Sequence, residues 1–458
     1  MTRSMRGLDR HFAYNFLSWL SLTGLFVLND FEITEWMAFS FFVTQALLSL
    51  TNRLHAFLAL PYILILGPIL HKVKLISTSL DEILLVSALI VVTYELLKKV
   101  VSTRVIHYST ATLYDLVQIF MFCIVFLSWV LSESLLQGIN GMIIALFVLI
   151  VHFYIKFILF DQKVGASALR AIIGAAFLSA LLIIYAYYAN INLNNFLDGN
   201  DLKLHFAKGS YFYANIFYIL GAAFFVSISG CCSIFYRQLS WVAPLVFLWS
   251  LLVYFNKTAL LSILIVFLLL LISDSRFKSK VIYFVFVVAF ILFINFIANE
   301  SVDLGKIYNT ASLFVRIDIF YEVIMALISD LRTYSVGYGP QFAIKGLKAS
   351  DLSYIIENQG TIDSGYISYL LEYGFFYVVA LCLSLFIIFF KINGYRKLNP
   401  SFRYFNAALF FYSLVLITQV LSTGKVFFVM SMFFSLIYYF PAKYHFNGRI
   451  NRGQRWKY

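Results

Sequence analysis

Apolar runs long enough to cross a lipid bilayer recur from one end of this chain to the other, separated by short polar connections. A helix rises about 1.5 Å per residue, so about 20 apolar residues span the roughly 30 Å hydrocarbon layer. Backbone polar groups in hydrocarbon have no water to bond, so runs of this kind cross as helices whose N–H and C=O groups are satisfied internally. The composition agrees. Hydrophobic residues make up 62% of the chain and charged residues 12%, against about 45–50% and about 25% in a soluble domain. No soluble core hides so much apolar surface, so the expectation is an all-α, polytopic transmembrane bundle of about 12–14 helices forming one integral membrane domain over 1–458.

Hydropathy over a window of about 19 residues places spans near 12–29, 33–51, 54–71, 82–98, 112–132, 137–159 and 169–189, then near 211–230, 239–255, 258–273, 280–298, 366–390, 404–422 and 426–441. The first run lacks a clear small-residue cleavage site and reads as a retained helix. Basic residues set the orientation. Arg3, Arg6 and Arg10, then Lys98, Lys99 and Arg104, then Arg276, Lys278 and Lys280, then Lys391, Arg396, Lys397 and Arg403, and finally the tail from Lys443 to Lys457 all fall on one side, while most acids fall on the other. The positive-inside rule then puts both termini in the cytoplasm. Lys72 and Lys74 run against this pattern. The net charge of +12 resides in these short blocks, which argues against nucleic acid as a partner and for membrane lipids. The four cysteines lie in or beside apolar runs and the seven histidines are dispersed, so neither a disulfide framework nor a metal site is expected.

Two connections exceed a turn, a short external loop at 190–210 and a large external loop at 299–365. Long loops between membrane helices usually carry function. In the larger one Leu313, Ile317, Phe320, Ile324, Leu327 and Leu331 recur at helical spacing, with Arg316, Asp318, Glu322 and Asp330 between them. That pattern predicts an amphipathic helix lying at the membrane interface.

Charges near the outer boundary are the candidates for chemistry, because they are costly there. Lys257, in YFNKTALLS, either snorkels to anchor a helix end or offers a fixed cation to a phosphate. Arg316, in LFVRIDIF, either pairs with Asp318, Glu322 or a lipid phosphate, or grips a diphosphate through its guanidinium fork. Gly337, Tyr338 and Gly339, in SVGYGPQF, form a tight turn that Pro340 ends. Asp363, in TIDSGYISYLLEYGFF, is either the N-cap of the next helix or a general base for an attacking hydroxyl. Glu372, about two and a half turns deeper, is either a paired interior carboxylate or part of the same site. No P-loop is present, so direct ATP hydrolysis is not indicated.

The order of these features over about 250–390 resembles the O-antigen polymerase (Wzy) family, within the polymerase and ligase superfamily of bacterial envelope glycosyltransferases. The features are a cation opening a late helix, an external loop with an arginine, an aromatic and G-x-G-x-x-F, and then DSGY-x-x-x-LLEYG starting the next helix. The resemblance implies glycosyl transfer at the outer face of the inner membrane. A glycan on undecaprenyl diphosphate would move onto another lipid-linked repeat unit, building O-antigen or capsule without cofactor, metal or nucleotide. It assigns Arg316 and Lys257 to the diphosphate, Asp363 to the acceptor hydroxyl, and Gly337, Tyr338, Gly339 and Glu372 to substrate binding. It also implies a chain-length regulator and a flippase as possible partners. Two features depart from the family: lysine stands at 257 where arginine is commoner, and no histidine lies near 363, which favours a polymerase over an O-antigen ligase. A lipid-linked oligosaccharide flippase or other transporter is the rival from another class; its expected marks are paired halves, broken helices and ionisable groups near mid-membrane.

Overall fold

The structure is a computed structural model and describes residues 2–29, 33–70, 73–75, 78–103, 111–132, 135–159, 165–189, 216–229, 241–253, 257–273, 311–340, 342–343, 364–396, 400–418 and 427–439. Nearly all of these are helical. The helices are α1 (Thr2–Leu28), α2 (Glu35–Thr51), α3 (Arg53–Leu66), α4 (Leu80–Thr103), α5 (Leu113–Val130), α6 (Leu135–Tyr154), α7 (Gly165–Tyr188) and α8 (Ile216–Ile228). They continue as α9 (Val242–Val253), α10 (Lys257–Ser273), α11 (Ala311–Ile328), α12 (Leu331–Val336), α13 (Gly365–Arg396), α14 (Arg403–Thr418) and α15 (Phe427–Tyr439). Thirteen of the fourteen expected spans coincide with these helices; the one at 280–298 lies outside the described residues, as does the 190–210 loop.

Among the described residues five helices are long and apolar enough to cross a membrane: His11–Leu28, Leu113–Val130, Gly138–Phe157, Gly165–Tyr188 and Gly365–Arg396. The chain is therefore an all-α, multi-span bundle of membrane type. Side chains exposed on its flanks are large and apolar, such as Leu116, Ile119 and Phe120 on α5 and Leu383, Phe386 and Phe390 on α13. On helices of membrane-spanning length, such apolar flanks suit contact with lipid.

Inside a bilayer, packing rests on close contact and on interior polar ties rather than on the removal of apolar surface from water. The α5, α6, α4, α3, α7, α8, α14 and α13 helices contact one another in that cyclic order and close a ring. The α7 helix is the most enclosed of the five long spans, with 83% of its window buried against 28% for that of α1. Within the ring α15 touches several walls: Phe427 meets Tyr369 of α13, Phe434 meets Tyr412 of α14, and Tyr438 meets Tyr114 of α5.

Local sequence sets the turns. Asn52 alone separates α2 from α3; its side chain accepts from the amides of Leu54 and His55, capping the second helix, while its own amide closes the first. The α3 and α4 helices are joined by a 3-10 turn and a small antiparallel hairpin, β1 (Lys74–Leu75) and β2 (Thr78–Ser79). An ion pair between Arg53 and Glu95 closes the other end of this helix pair. Lys74 is thus at the opposite end from Arg53, as the span assignment required. The histidines are less dispersed in space than in sequence. Asn15 Nδ2 donates to His55 Nδ1 at 3.1 Å, and His55 Nε2 donates to Gln45 at 3.1 Å. Asn52, whose side chain caps at the His55 amide, also bonds His11 at 3.0 Å, so α1, α2 and α3 share one polar network.

Two expectations change. The α13 helix is not one continuous rod but breaks at Gly374, whose φ of 76° and ψ of −177° are far from helical. The α11 helix forms as expected, yet the stripe it packs inward is Ile319, Val323 and Leu327, and Phe320 and Leu331 are exposed. The exposed side of α11 also carries large apolar residues, Phe320, Tyr321, Met325 and Ile328, so periodicity alone does not select the buried face.

Candidate functional site

The SVGYGP turn is set up by the short helix before it. Asp330 caps α12, its carboxylate accepting from the amides of Arg332 and Thr333 and from the Thr333 hydroxyl. These bonds, the Thr333 hydroxyl first, hold the Asp330 carboxyl below the usual aspartate range. Seven residues later Gly337 closes α12, its amide bonding the Thr333 carbonyl at 2.8 Å. Gly337 has φ 74° and ψ −175°, a conformation essentially restricted to glycine.

This turn docks on the break in α13. The Tyr338 amide donates to the Leu371 carbonyl at 2.8 Å, and the Gly339 amide to the Glu372 carbonyl at 3.0 Å. The two backbones cross with no side chain between them. A Cβ on Gly337 would overlap Glu372 and the Tyr373 amide, and one on Gly374 would overlap Ser335 and the Val336 amide. The break frees carbonyls that a helix would satisfy, and the turn's amides satisfy them, which is how non-helical backbone persists at membrane depth. Buried Ser128 on α5 adds a third tie, donating to the Glu372 carbonyl at 2.6 Å.

Neighbouring helices hold the turn from the other side. Pro340 sits in a notch left by Gly138 and Gly141 on α6, and Gly339 rests against Ser132 at the end of α5. The Arg332 guanidinium donates to the Leu131 carbonyl, one of the unsatisfied groups at the α5 C-terminus, where a cation is favoured. Ile319, Val323 and Leu327 of α11 pack on Ile367, Leu370 and Leu371 of α13.

Of the candidate residues, Gly337, Tyr338, Gly339 and Glu372 therefore come together. The amides of the first three are engaged by protein carbonyls, so this turn contributes shape rather than amide donors to a ligand. Tyr338 stacks on Phe342 with ring centroids 4.5 Å apart. Glu372 is buried at 7% exposure beside the phenols of Tyr373 and Tyr377. Arg316 lies on α11, one turn before the stretch that packs on α13; its side chain is outside the described residues. Lys257 opens α10, which packs chiefly on α14 and α8, and its side chain is likewise outside. Asp363 lies outside the described residues, just before Ser364 and the α13 start.

A second polar cluster, missed in the sequence, occupies the opposite end of α5 and α13. Asp115 accepts from His152 Nε2 at 2.9 Å, Lys156 Nζ at 2.6 Å, the Thr112 amide at 2.7 Å, the Thr112 hydroxyl at 2.8 Å, and the Tyr439 hydroxyl. His152 Nδ1 in turn accepts from Ser435 at 3.0 Å. Lys391 Nζ lies 3.3 Å from the centroid of the Tyr438 ring, a cation–π contact. Lys156 reaches Asp115 from a π-helical turn, Ile155–Leu159, that continues α6. One half of this cluster was legible: Thr112 and Asp115 form a capping box. The other partners stand 37, 41 and 324 positions away, and no local pattern joins them.

Among the described residues no group of three or more His, Cys, Asp or Glu is placed to hold a metal ion. Compared with protein-family models and with curated proteins, the chain finds no match.

Proposed function

We propose that this chain is a membrane-embedded glycosyltransferase that joins undecaprenyl-diphosphate-linked repeat units into a surface polysaccharide, a polymerase of the Wzy type. The observation that supports this reading is the docking of the SVGYGPQF turn on the LLEYG break. Motifs separated by an external loop in sequence thereby become one rigid unit, with the Arg316-bearing helix packed on its flank. Rigid support under a first shell of charges is what group transfer requires.

In this reading Arg316 and Lys257 offset charge on the departing diphosphate, Asp363 takes the proton of the acceptor hydroxyl, and the anomeric carbon exchanges one oxygen for the other. Glu372 and the glycine turn hold the geometry beneath. The outward orientation of this end, with both termini cytoplasmic, belongs to the same proposal. Arg316→Ala and Asp363→Ala are expected to leave single-repeat glycan in place of a ladder while the protein remains in the membrane. Normal ladders from both variants would refute the assignment, and loss of even the single repeat would point to a ligase.

A lipid-linked oligosaccharide transporter is the second reading, favoured by the broken α13 helix and the buried Asp115 cluster, since broken helices and interior ionisable groups mark transport paths. Purified protein supplied with lipid-linked repeat units in vesicles separates the two: a polymerase lengthens the glycan, and a transporter moves it across unchanged.

A further inference from the structure

The Asp115 cluster and Glu372 face each other along the length of α13. Glu372 and Lys391 are 19 residues apart on that helix, or about 28 Å at the helical rise, which is close to the thickness of the hydrocarbon layer.

Between these ends a line of hydroxyl, phenol and amide groups runs through an otherwise apolar interior. Ser435, bonded to His152, lies against the Tyr114 hydroxyl, as does Ser384, which accepts from Gln118 Nε2 at 3.2 Å. A cavity of about 40 Å³ follows, bounded in part by Tyr114, Gln118, Ser384, Ser431, Tyr412 and Tyr377. The Tyr377 ring is 4.6 Å from that of Tyr373, beside Glu372. Charged and titratable groups face Asp115 from each packed element: His152 and Lys156 from α6 and its π turn, Tyr438 and Tyr439 from α15, Lys391 from α13, and Tyr114 from α5 itself.

Ser435, His152 and Asp115 have the connectivity of a nucleophilic triad. Burial decides against that use. Ser435 is 2% exposed and does not line the cavity, whose roughly 40 Å³, mostly apolar but edged by hydroxyls and an amide, holds a few waters. What such a line can pass is a proton. A histidine bonded at both ring nitrogens takes a proton on one and releases it from the other.

We infer that the column from the Asp115–His152 cluster through Ser435, Tyr114, Ser384, Gln118 and the water-sized cavity to Glu372 conducts protons across the bundle. The step moves one proton and its charge down the electrochemical gradient, with no bond formed elsewhere. This does not rest on the glycosyltransferase reading, because the flux needs no glycan.

The test uses the purified full chain in phosphatidylethanolamine–phosphatidylglycerol vesicles that contain a pH-sensitive dye, with a potassium diffusion potential as driving force. Wild type is expected to acidify or alkalinise the lumen faster than protein-free vesicles according to the sign of the potential. His152→Gln is expected to return the rate to the protein-free value. Gln118→Leu combined with Ser384→Ala cuts the column midway and leaves the Asp115 contacts intact; it is expected to abolish flux at an unchanged thermal midpoint, and it decides the matter if His152→Gln does not fold. Wild-type vesicles no faster than protein-free ones, or a midway variant as fast as wild type, would overturn the inference.

Discussion

Replacing Gly374 with alanine tests whether the crossing of the turn and the broken helix is as tight as the structure has it. At φ 76° and ψ −177° a residue with a Cβ is strained by about 1–3 kcal/mol. The new methyl would also overlap the Ser335 carbonyl and the Val336 amide, which are backbone and cannot rotate away. Relief requires the turn to lift, breaking the Tyr338–Leu371 and Gly339–Glu372 hydrogen bonds, each worth about 0.5–1.5 kcal/mol net. The sum is about 2–6 kcal/mol, all of it local to the turn. Hydrogen exchange of the purified protein in detergent reads it directly. Since about 1.4 kcal/mol is a factor of ten, the Tyr338 and Gly339 amides are expected to lose at least about 30-fold in protection, with the far end of α13 unchanged. Gly394→Ala is the control on the same helix: nothing lies within 4 Å of its Cβ position, so alanine there is expected to be neutral or stabilising. Equal protection in the two variants would refute the reasoning, because then no backbone crossing constrains Gly374.

Three further outcomes follow from the same geometry. Ser128→Ala removes one of two donors to the Glu372 carbonyl, leaving the Gly339 amide in place, so a loss of only about 1 kcal/mol is expected; a thermal midpoint lowered as far as in Gly374→Ala would count against it. Asp115→Ala leaves Lys156 and His152 without their buried acceptor and is expected to destabilise by about 3–5 kcal/mol, seen as a lower midpoint in detergent. Asp330 titrates below its unfolded value, so its capping contribution is present above the usual aspartate range and is lost as pH falls through the depressed folded value. Exchange of the α12 amides is expected to rise over that acidic window in wild type, and Asp330→Ala, lacking the titrating group, is expected to show no such pH dependence.

The apolar runs by themselves determined that the chain folds as membrane helices, and roughly where each begins and ends. That follows from a strong physical constraint: in hydrocarbon every backbone group must be satisfied within its own segment, so length and hydropathy decide the element. Caps such as Thr112 with Asp115, and Asn52 between α2 and α3, are equally local devices. The G-x-G turn was visible as a turn, but not what it turns onto. Nothing in the sequence around Gly374 marks it as the point where the SVGYGP backbone lies across the helix. The inward face of α11 was hidden because its exposed side also carries large apolar residues, so only the position of Ile367, Leu370 and Leu371 chose Ile319, Val323 and Leu327. His152 counted among dispersed histidines and Lys391 as one of a basic block, and nothing in the sequence joins them to Lys156 or Tyr439. Tertiary structure alone decided that they converge near Asp115, because a buried charge is stable only where partners from several helices meet it, and such partners obey no sequence spacing.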